Sequence, residues 1–189
     1  AYGLTFYEGL ALTRRRDAGT LTPASDDLEA DMFEIAHDRL TAAGYEHYEI
    51  SNYALPGARC RHNSAIWRGE DYLGLGAAAH SCLAGRRLAN PADVKQYLAA
   101  MERNTLPAEE ADGDEAATGA GQGGSGPPPW FTEAMLRLRV CDGLDLAAWP
   151  ASWRGDFLDR FERYAQALAD EGLARWDGSR LALTVSGWL

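Results

Sequence analysis

The residues best suited to chemistry lie close together, in the stretch RHNSAIWRGEDYLGLGAAAHS from Arg61 to Ser81. The stretch holds two of the four histidines, His62 and His80, and one tryptophan, Trp67. Imidazole ligates iron well at neutral pH, and an indole ring packs in a core or forms a flat wall for a large ligand. The residue types therefore indicate either a metal or haem site, or a packed loop in which His62 bonds to backbone.

Two other chemistries have little support in the same stretch. Gly74 and Gly76 begin a dinucleotide-binding pattern, but the position of its third glycine is Ala79. Close approach of two backbone segments explains both glycines more simply. His80 follows no recognisable aspartate spacing, so a hydrolytic triad with Ser81 is also poorly supported.

The composition is that of a globular protein, with 46% hydrophobic and 24% charged residues among 189. No apolar run is long enough to span a membrane, and a net charge of −10 argues against binding to nucleic acid. The cysteines Cys60, Cys82 and Cys141 are dispersed, which is typical of reduced thiols in a cytoplasmic protein. Their spacing builds neither a zinc site nor an iron–sulfur site.

The elements before this stretch read as strand, loop, helix and strand. We expect a strand over Ala1 to Tyr7, a basic loop around Arg14 to Arg16, and a helix from Asp26 to Ala43 capped by Ser25. A second strand is predicted from His47 to Ala54. Strand–helix–strand order predicts a parallel unit, so the fold class is α/β.

In α/β proteins ligands gather at the carboxyl ends of parallel strands, which here places Asn52 next to the opening stretch. Glu49 alternates with apolar neighbours and would need a polar partner if it is buried. His47 and His37 are expected to be solvent-exposed, the first at the strand entrance and the second on the polar side of the helix.

The rest of the chain divides into three predicted segments. Residues 1–106 end in a helix with Asn90 as N-cap and Pro91 at its first helical position, and with a buried stripe formed by Val94, Tyr97, Leu98 and Met101. Residues 107–129 form an acidic linker rich in Gly and Pro, with five acidic residues and no basic one, which favours disorder. Residues 130–189 form a third segment.

This third segment predicts helices over Glu133–Val140 and Asp156–Glu171, followed by a hairpin whose two-residue turn is Asp177-Gly178. Helices followed by a β wing are typical of a winged-helix-like domain. The domain has nine acidic residues against seven arginines, which makes it a poor candidate for binding DNA.

The stretch YEISNYALPGARCRHNSAIWRGEDYLGLGAAAHS resembles the radical S-adenosylmethionine family of oxygen-independent coproporphyrinogen III oxidase-like proteins, in its HemW-type haem chaperone branch. The family pattern YEISN, HNxxYW and DYLGiGpgAHS is followed over about thirty positions. Ile66 replaces the tyrosine of HNxxYW, and Ala77 and Ala78 replace a proline and a glycine. MLRLRVCDGLDL and RLALTVSGWL resemble the family's C-terminal module.

The resemblance implies the C-terminal strands and helices of a partial (β/α) barrel, followed by the winged-helix-like domain. It implies haem or porphyrin as the ligand, with a haem-acceptor protein as a further partner. The candidate binding residues are His62, as axial ligand, with Asn63, Trp67, His80 and Asn52. The family's [4Fe-4S] cluster and S-adenosylmethionine motifs are expected upstream of Ala1, so we predict that this chain alone is inactive.

Two other functions remain open at this stage. The longer protein could be a coproporphyrinogen III oxidase of porphyrin biosynthesis, since it would share the fold. Alternatively, the C-terminal domain could be a non-catalytic protein-interaction module.

Overall fold

The computed structural model describes residues 1–105, 108–109, 128 and 130–189. It divides into two compact units, one formed by Ala1–Cys60 with Leu138–Leu189 and the other by Arg61–Arg137. Almost all of the predicted linker, residues 107–129, lies outside the described residues. The three predicted segment boundaries stay predictions.

The N-terminal part of the first unit contains two helices and a hairpin: α1 (Ala11–Asp17), α2 (Asp26–Ala42), β1 (Glu46–Glu49) and β2 (Asn52–Ala54). Helix α2 begins as predicted, because the Ser25 hydroxyl accepts a hydrogen bond from the Leu28 amide at 3.3 Å. Helix α1 replaces the predicted basic loop, and its Ala, Leu and Arg residues are strong helix formers.

The predicted parallel strand–helix–strand unit is wrong. Residues Ala1 to Tyr7 form no strand, and the predicted second strand is a hairpin in which Glu49 is paired with Asn52 across a turn at Ile50 and Ser51. The other edge of β1 meets Val140, again antiparallel. Every strand pairing in the described part of the chain is antiparallel. A strand forms only where a ladder partner is available, which periodicity alone does not show.

The C-terminal part of the first unit is a helix against a small sheet. Its elements are β6 (Leu144–Asp145), a 3₁₀ turn (Leu146–Ala148), α6 (Ala151–Asp170), β7 (Ala174–Trp176), β8 (Arg180–Leu183) and a second 3₁₀ turn (Ser186–Trp188). The sheet order is β6-β8-β7. The core of this part is formed by the buried side chains of Leu144, Leu146, Trp149 and Phe157.

The predicted hairpin of this part is confirmed, with its turn one residue later. The Asp177 amide donates to the Arg180 carbonyl at 3.3 Å, so Gly178 and Ser179 form the turn. The Asp177 carboxylate accepts hydrogen bonds from the Ser179 amide at 2.8 Å and the Arg180 amide at 2.7 Å. These bonds lower the pKa of Asp177, and they explain why the aspartate precedes the turn instead of occupying it.

The second unit contains α3 (Arg61–Trp67), β3 (His80–Leu83), β4 (Arg86–Ala89), α4 (Val94–Glu102), β5 (Ala108–Glu109) and α5 (Phe131–Arg137). Its sheet has the order β3-β4-β5. The predicted cap of α4 is wrong: Asp93, not Asn90, accepts the hydrogen bond from the Gln96 amide at 2.9 Å. The predicted buried stripe of α4 is also wrong, because Val94, Leu98 and Met101 are exposed.

Both units together give a mixed α/β architecture with six α-helices in the described residues, so the predicted fold class is confirmed. No helix in the described ranges is long and apolar enough to cross a membrane.

Candidate functional site

The loop from Tyr72 to Ser81 is held by backbone contacts that only a glycine permits at position 74. A Cβ atom built on Gly74 would lie 2.1 Å from the His80 carbonyl oxygen. The Gly74 amide donates to the hydroxyl of Ser81, a residue that is only 1% exposed, at 2.9 Å. The interpretation of Gly74 as a point of close backbone approach is thereby confirmed. The same interpretation is wrong for Gly76, because a Cβ built there would meet nothing within 4 Å; its positive φ of 105° is what favours glycine at that position.

Asn90 fixes the same loop from its other side. Its side-chain amide donates to the Gly76 carbonyl at 2.8 Å and to the Gly74 carbonyl at 3.3 Å. The Asn90 backbone amide donates to the Ala79 carbonyl at 2.9 Å. Asn90 is buried, and it serves as the polar anchor of the loop rather than as a helix cap. The sequence suggested no such role, because the two partners lie 14 and 16 residues away.

Ala78 has a backbone conformation that strains an L-amino acid. Its φ angle is 59°, in the left-handed region, and its amide donates to the Pro91 carbonyl at 3.0 Å. The family pattern has a glycine at this position, which would adopt the conformation without cost. Alanine at this position therefore adds backbone strain that glycine would not have.

His62 lies in the first turn of α3, with an exposed side chain. Its ring is edge-to-face with that of Tyr72, with the ring centroids 6.4 Å apart and the planes at 81°. Tyr72 is tied to β3 by two hydrogen bonds with Cys82, at 2.8 and 2.9 Å. The ring of His62 therefore stands at the surface beside an aromatic residue that the sheet positions.

The helix places the other motif residues away from His62. Successive residues of an α-helix are about 100° apart, so His62 and Trp67 are separated by about 140° around the axis of α3. Asn63 and Trp67, four residues apart, share a face. Both are half-buried, as is Ile66 at the position of the family's tyrosine. Helix α3 lies against α5, so this half-burial fits the packing interpretation of Trp67.

The two remaining candidates lie elsewhere. His80 is exposed at the start of β3, where it is paired with Ala89. Asn52 belongs to the first unit, where its side-chain oxygen accepts a hydrogen bond from the Tyr2 hydroxyl at 3.1 Å. The second unit thus holds His62, Asn63, Trp67 and His80 within one motif, and Asn52 is part of the hairpin β1–β2.

Side chains that ligate metals do not converge in the described ranges. No group of three or more His, Cys, Asp or Glu residues is placed to hold a metal ion there. Cys60 and Cys141 belong to the first unit, Cys82 to the second, and all three are free thiols. Burial raises the pKa of the Cys141 thiol, and the neighbouring Asp142 adds to this effect.

Comparison with known proteins first identifies the class of protein to which this chain is similar. The HemN C-terminal domain family matches residues 129–189. The fold resembles coproporphyrinogen III oxidase (HemN) from Escherichia coli, a radical SAM enzyme, with a TM-score of 0.57 and 19% identity over 88% of this chain and 39% of that chain. At this identity the likeness shows a shared fold.

The curated relatives identify the branch. Haem chaperone HemW from Mycobacterium tuberculosis (strain H37Rv) is 36% identical over 192 residues, which is 100% of this chain and 44% of that protein. HemW from Lactococcus lactis is 30% identical over 99% of this chain and 46% of that protein. HemW from Escherichia coli K12 is 54% identical over 55 residues, or 29% of this chain and 15% of that protein.

The chain is thus a HemW-type member of the coproporphyrinogen oxidase-like family and corresponds to its C-terminal half, as its motifs predicted. The chain spans less than half the length of the HemW proteins from Mycobacterium tuberculosis and Lactococcus lactis.

Proposed function

We propose that this chain is the haem-binding C-terminal part of a HemW-like radical S-adenosylmethionine protein, and that His62 is the axial ligand of the haem iron. The single observation that carries the proposal is the exposed imidazole of His62, on a short helix beside Tyr72. The names of the curated relatives support haem as the ligand.

The residues around His62 fit a flat apolar ligand. Tyr72 presents its ring to the imidazole, and the loop that follows exposes two leucines, Leu73 at 64% and Leu75 at 83%. Exposed apolar residues close together in one loop are typical of binding surfaces. Haem, when bound, supplies an iron atom that accepts an imidazole nitrogen at an axial position.

The chain's own residues then have separate roles in the proposal. His62 supplies the nitrogen ligand, and Leu73 and Leu75 contact the macrocycle. Asn63 and Trp67 hold α3 in place through its half-buried face. His80 and Asn52 remain candidates for polar contacts with the ligand. The cluster, S-adenosylmethionine and a haem-acceptor protein belong to the longer protein in this proposal.

Haem titration of the 189-residue chain, followed by its absorbance spectrum, tests the ligand. We expect His62→Ala to weaken binding at least tenfold, which is about 1.4 kcal/mol, because the iron loses its nitrogen ligand. His80→Ala is the comparison variant and is expected to weaken binding by only a few-fold, because it removes a polar contact and not the iron ligand. If His62→Ala binds like the unchanged protein, the assignment of His62 is wrong, and if His80→Ala alone loses affinity, the ligand is His80.

A further inference from the structure

Two histidines outside the candidate site form a direct pair in the first unit. His37 of α2 and His47 of β1 approach through their Nδ1 atoms, which are 3.0 Å apart. Both were expected at the surface, and both expectations are wrong: His47 is only 8% exposed and His37 is half-buried. A turn of α2 covers the hairpin at this point, which the sequence pattern of either element did not show.

Aromatic rings from three further positions enclose His47. The Tyr53 ring stacks on the imidazole with centroids 4.0 Å apart and planes at 15°. The Trp188 ring meets it edge-on at 4.9 Å, and the Phe33 ring lies at 5.6 Å. The Trp188 indole also donates a hydrogen bond to the Leu138 carbonyl at 2.9 Å. His47 is therefore the residue at which α2, the hairpin β1–β2 and the C-terminal 3₁₀ turn meet.

The hydrogen bonds specify the proton positions in this pair. The Nε2 atom of His47 lies 3.3 Å from the Ile50 carbonyl, which can only accept, so Nε2 carries the proton. A neutral His47 then offers a lone pair at Nδ1, and His37 must donate from its own Nδ1. Two protonated rings would place N–H against N–H at this distance, so the bond exists only while at least one ring is neutral.

The surroundings oppose a positive charge on His47. Burial lowers the pKa of His47 and is the largest effect; the Ile50 carbonyl acts in the opposite direction, and His37 and the amino group of Ala1 repel the charge. The other titratable groups nearby are the Tyr53 hydroxyl, whose pKa is raised by burial, and the carboxylates of β1. Of these, Glu46 is paired with Arg59 at 3.0 Å and Glu49 is 1% exposed.

We propose that the His37–His47 pair is a pH-sensitive clasp, which holds α2 and Trp188 to the hairpin at neutral pH and loosens when both rings become charged. The direction of the pH dependence follows from the different pKa of His47 in the folded and unfolded chain. An unfolded histidine takes up its proton near the ordinary value of 6.5, whereas folded His47 takes it up at lower pH. The contribution of the clasp to stability is complete above pH 6.5 and declines as the pH falls through the interval below it.

Nuclear magnetic resonance of the 189-residue chain tests the clasp without any substitution. Nitrogen spectra of the imidazoles at pH 8 are expected to show His47 protonated at Nε2 and His37 at Nδ1. On acidification, we expect His47 to titrate below 6.5, and the indole N–H signal of Trp188 to move with the same midpoint. The proposal is wrong if His47 titrates at pH 6.5 or above. It is also wrong if the Trp188 signal does not change as His47 takes up its proton.

Substitutions give a second, independent measurement. His37→Phe keeps an aromatic ring but removes the neighbouring donor and charge, so the midpoint of His47 is expected to move towards 6.5. His80→Ala, in the other unit, is the control and should leave that midpoint unchanged. The folding constant of the unchanged chain is expected to fall between pH 7.5 and pH 5.5, and His47→Phe should reduce that fall. An equal fall in His47→Phe contradicts the clasp.

Discussion

At the scale of single residues, the candidate site depends on backbone conformation as much as on reactive side chains. Gly74 lies where any Cβ would collide with the His80 carbonyl, and Asn90 ties two carbonyls of the loop together. These residues place β3 next to Tyr72, the residue that neighbours His62. The geometry around the proposed ligand therefore follows from hydrogen bonds that involve none of the reactive groups.

Ala78 tests whether backbone strain in this loop lowers the stability of the chain. Because its φ of 59° costs an L-residue about 1–2 kcal/mol, Ala78→Gly is expected to stabilise the chain. Glycine's greater freedom in the unfolded state offsets about 0.4–1 kcal/mol of this gain, so the net increase in the free energy of unfolding should be about 0–1.6 kcal/mol. Urea unfolding measures it. Ala77→Gly is the control, because Ala77 lacks a positive φ, and it should not stabilise. Equal gains in both variants would show that strain at Ala78 is not the cause.

At the scale of elements, the sequence predicted the start of α2 correctly, whereas α6 begins at Ala151 and not at the expected Asp156. Ser25 caps α2 as expected, because a cap is a local hydrogen bond between residues three apart. The strand His47 to Ala54 is a hairpin instead, since pairing depends on distant segments. The side chain of Asn90 shows the same limit. Its amide chemistry suits a cap, yet tertiary contacts recruit it for the loop.

Helix α6 offers a prediction that belongs to this scale. Gly155 lies inside this 20-residue helix, and a Cβ built on it would meet nothing within 4 Å. Glycine disfavours a helix interior by about 0.8–1 kcal/mol relative to alanine, so Gly155→Ala should raise the free energy of unfolding by about that amount. Urea denaturation followed by circular dichroism measures the change. Gly74→Ala is the contrasting variant and should be strongly destabilising, because its Cβ would lie 2.1 Å from a carbonyl oxygen. A loss of stability in Gly155→Ala would contradict the argument.

At the scale of the whole molecule, the resemblance of motifs predicted the family, whereas local periodicity did not predict which distant segments pack together. The mixed α/β class and the family follow from motifs that span much of the chain, and the comparisons confirm both. The grouping of Leu138–Leu189 with Ala1–Cys60 into one compact unit was not predicted. That grouping rests on contacts such as the Ile50 amide with the Arg139 carbonyl at 2.9 Å, between residues that are far apart in the sequence. Local periodicity carries no information about such pairs.

The distribution of thiols over the two units leads to the last prediction. A four-iron cluster needs several thiolates that converge on one site, and this chain has three cysteines, of which Cys82 lies in a different compact unit from Cys60 and Cys141. Anaerobic reconstitution of the 189-residue chain with iron and sulfide is therefore expected to give no stoichiometric cluster absorbance. A variant with all three cysteines changed to serine is the control for non-specific iron, and its spectrum should match that of the unchanged chain. If the unchanged chain gives a four-iron spectrum and the serine variant does not, these thiols bind a cluster. The proposal that cluster chemistry belongs to other segments of the longer protein would then be wrong.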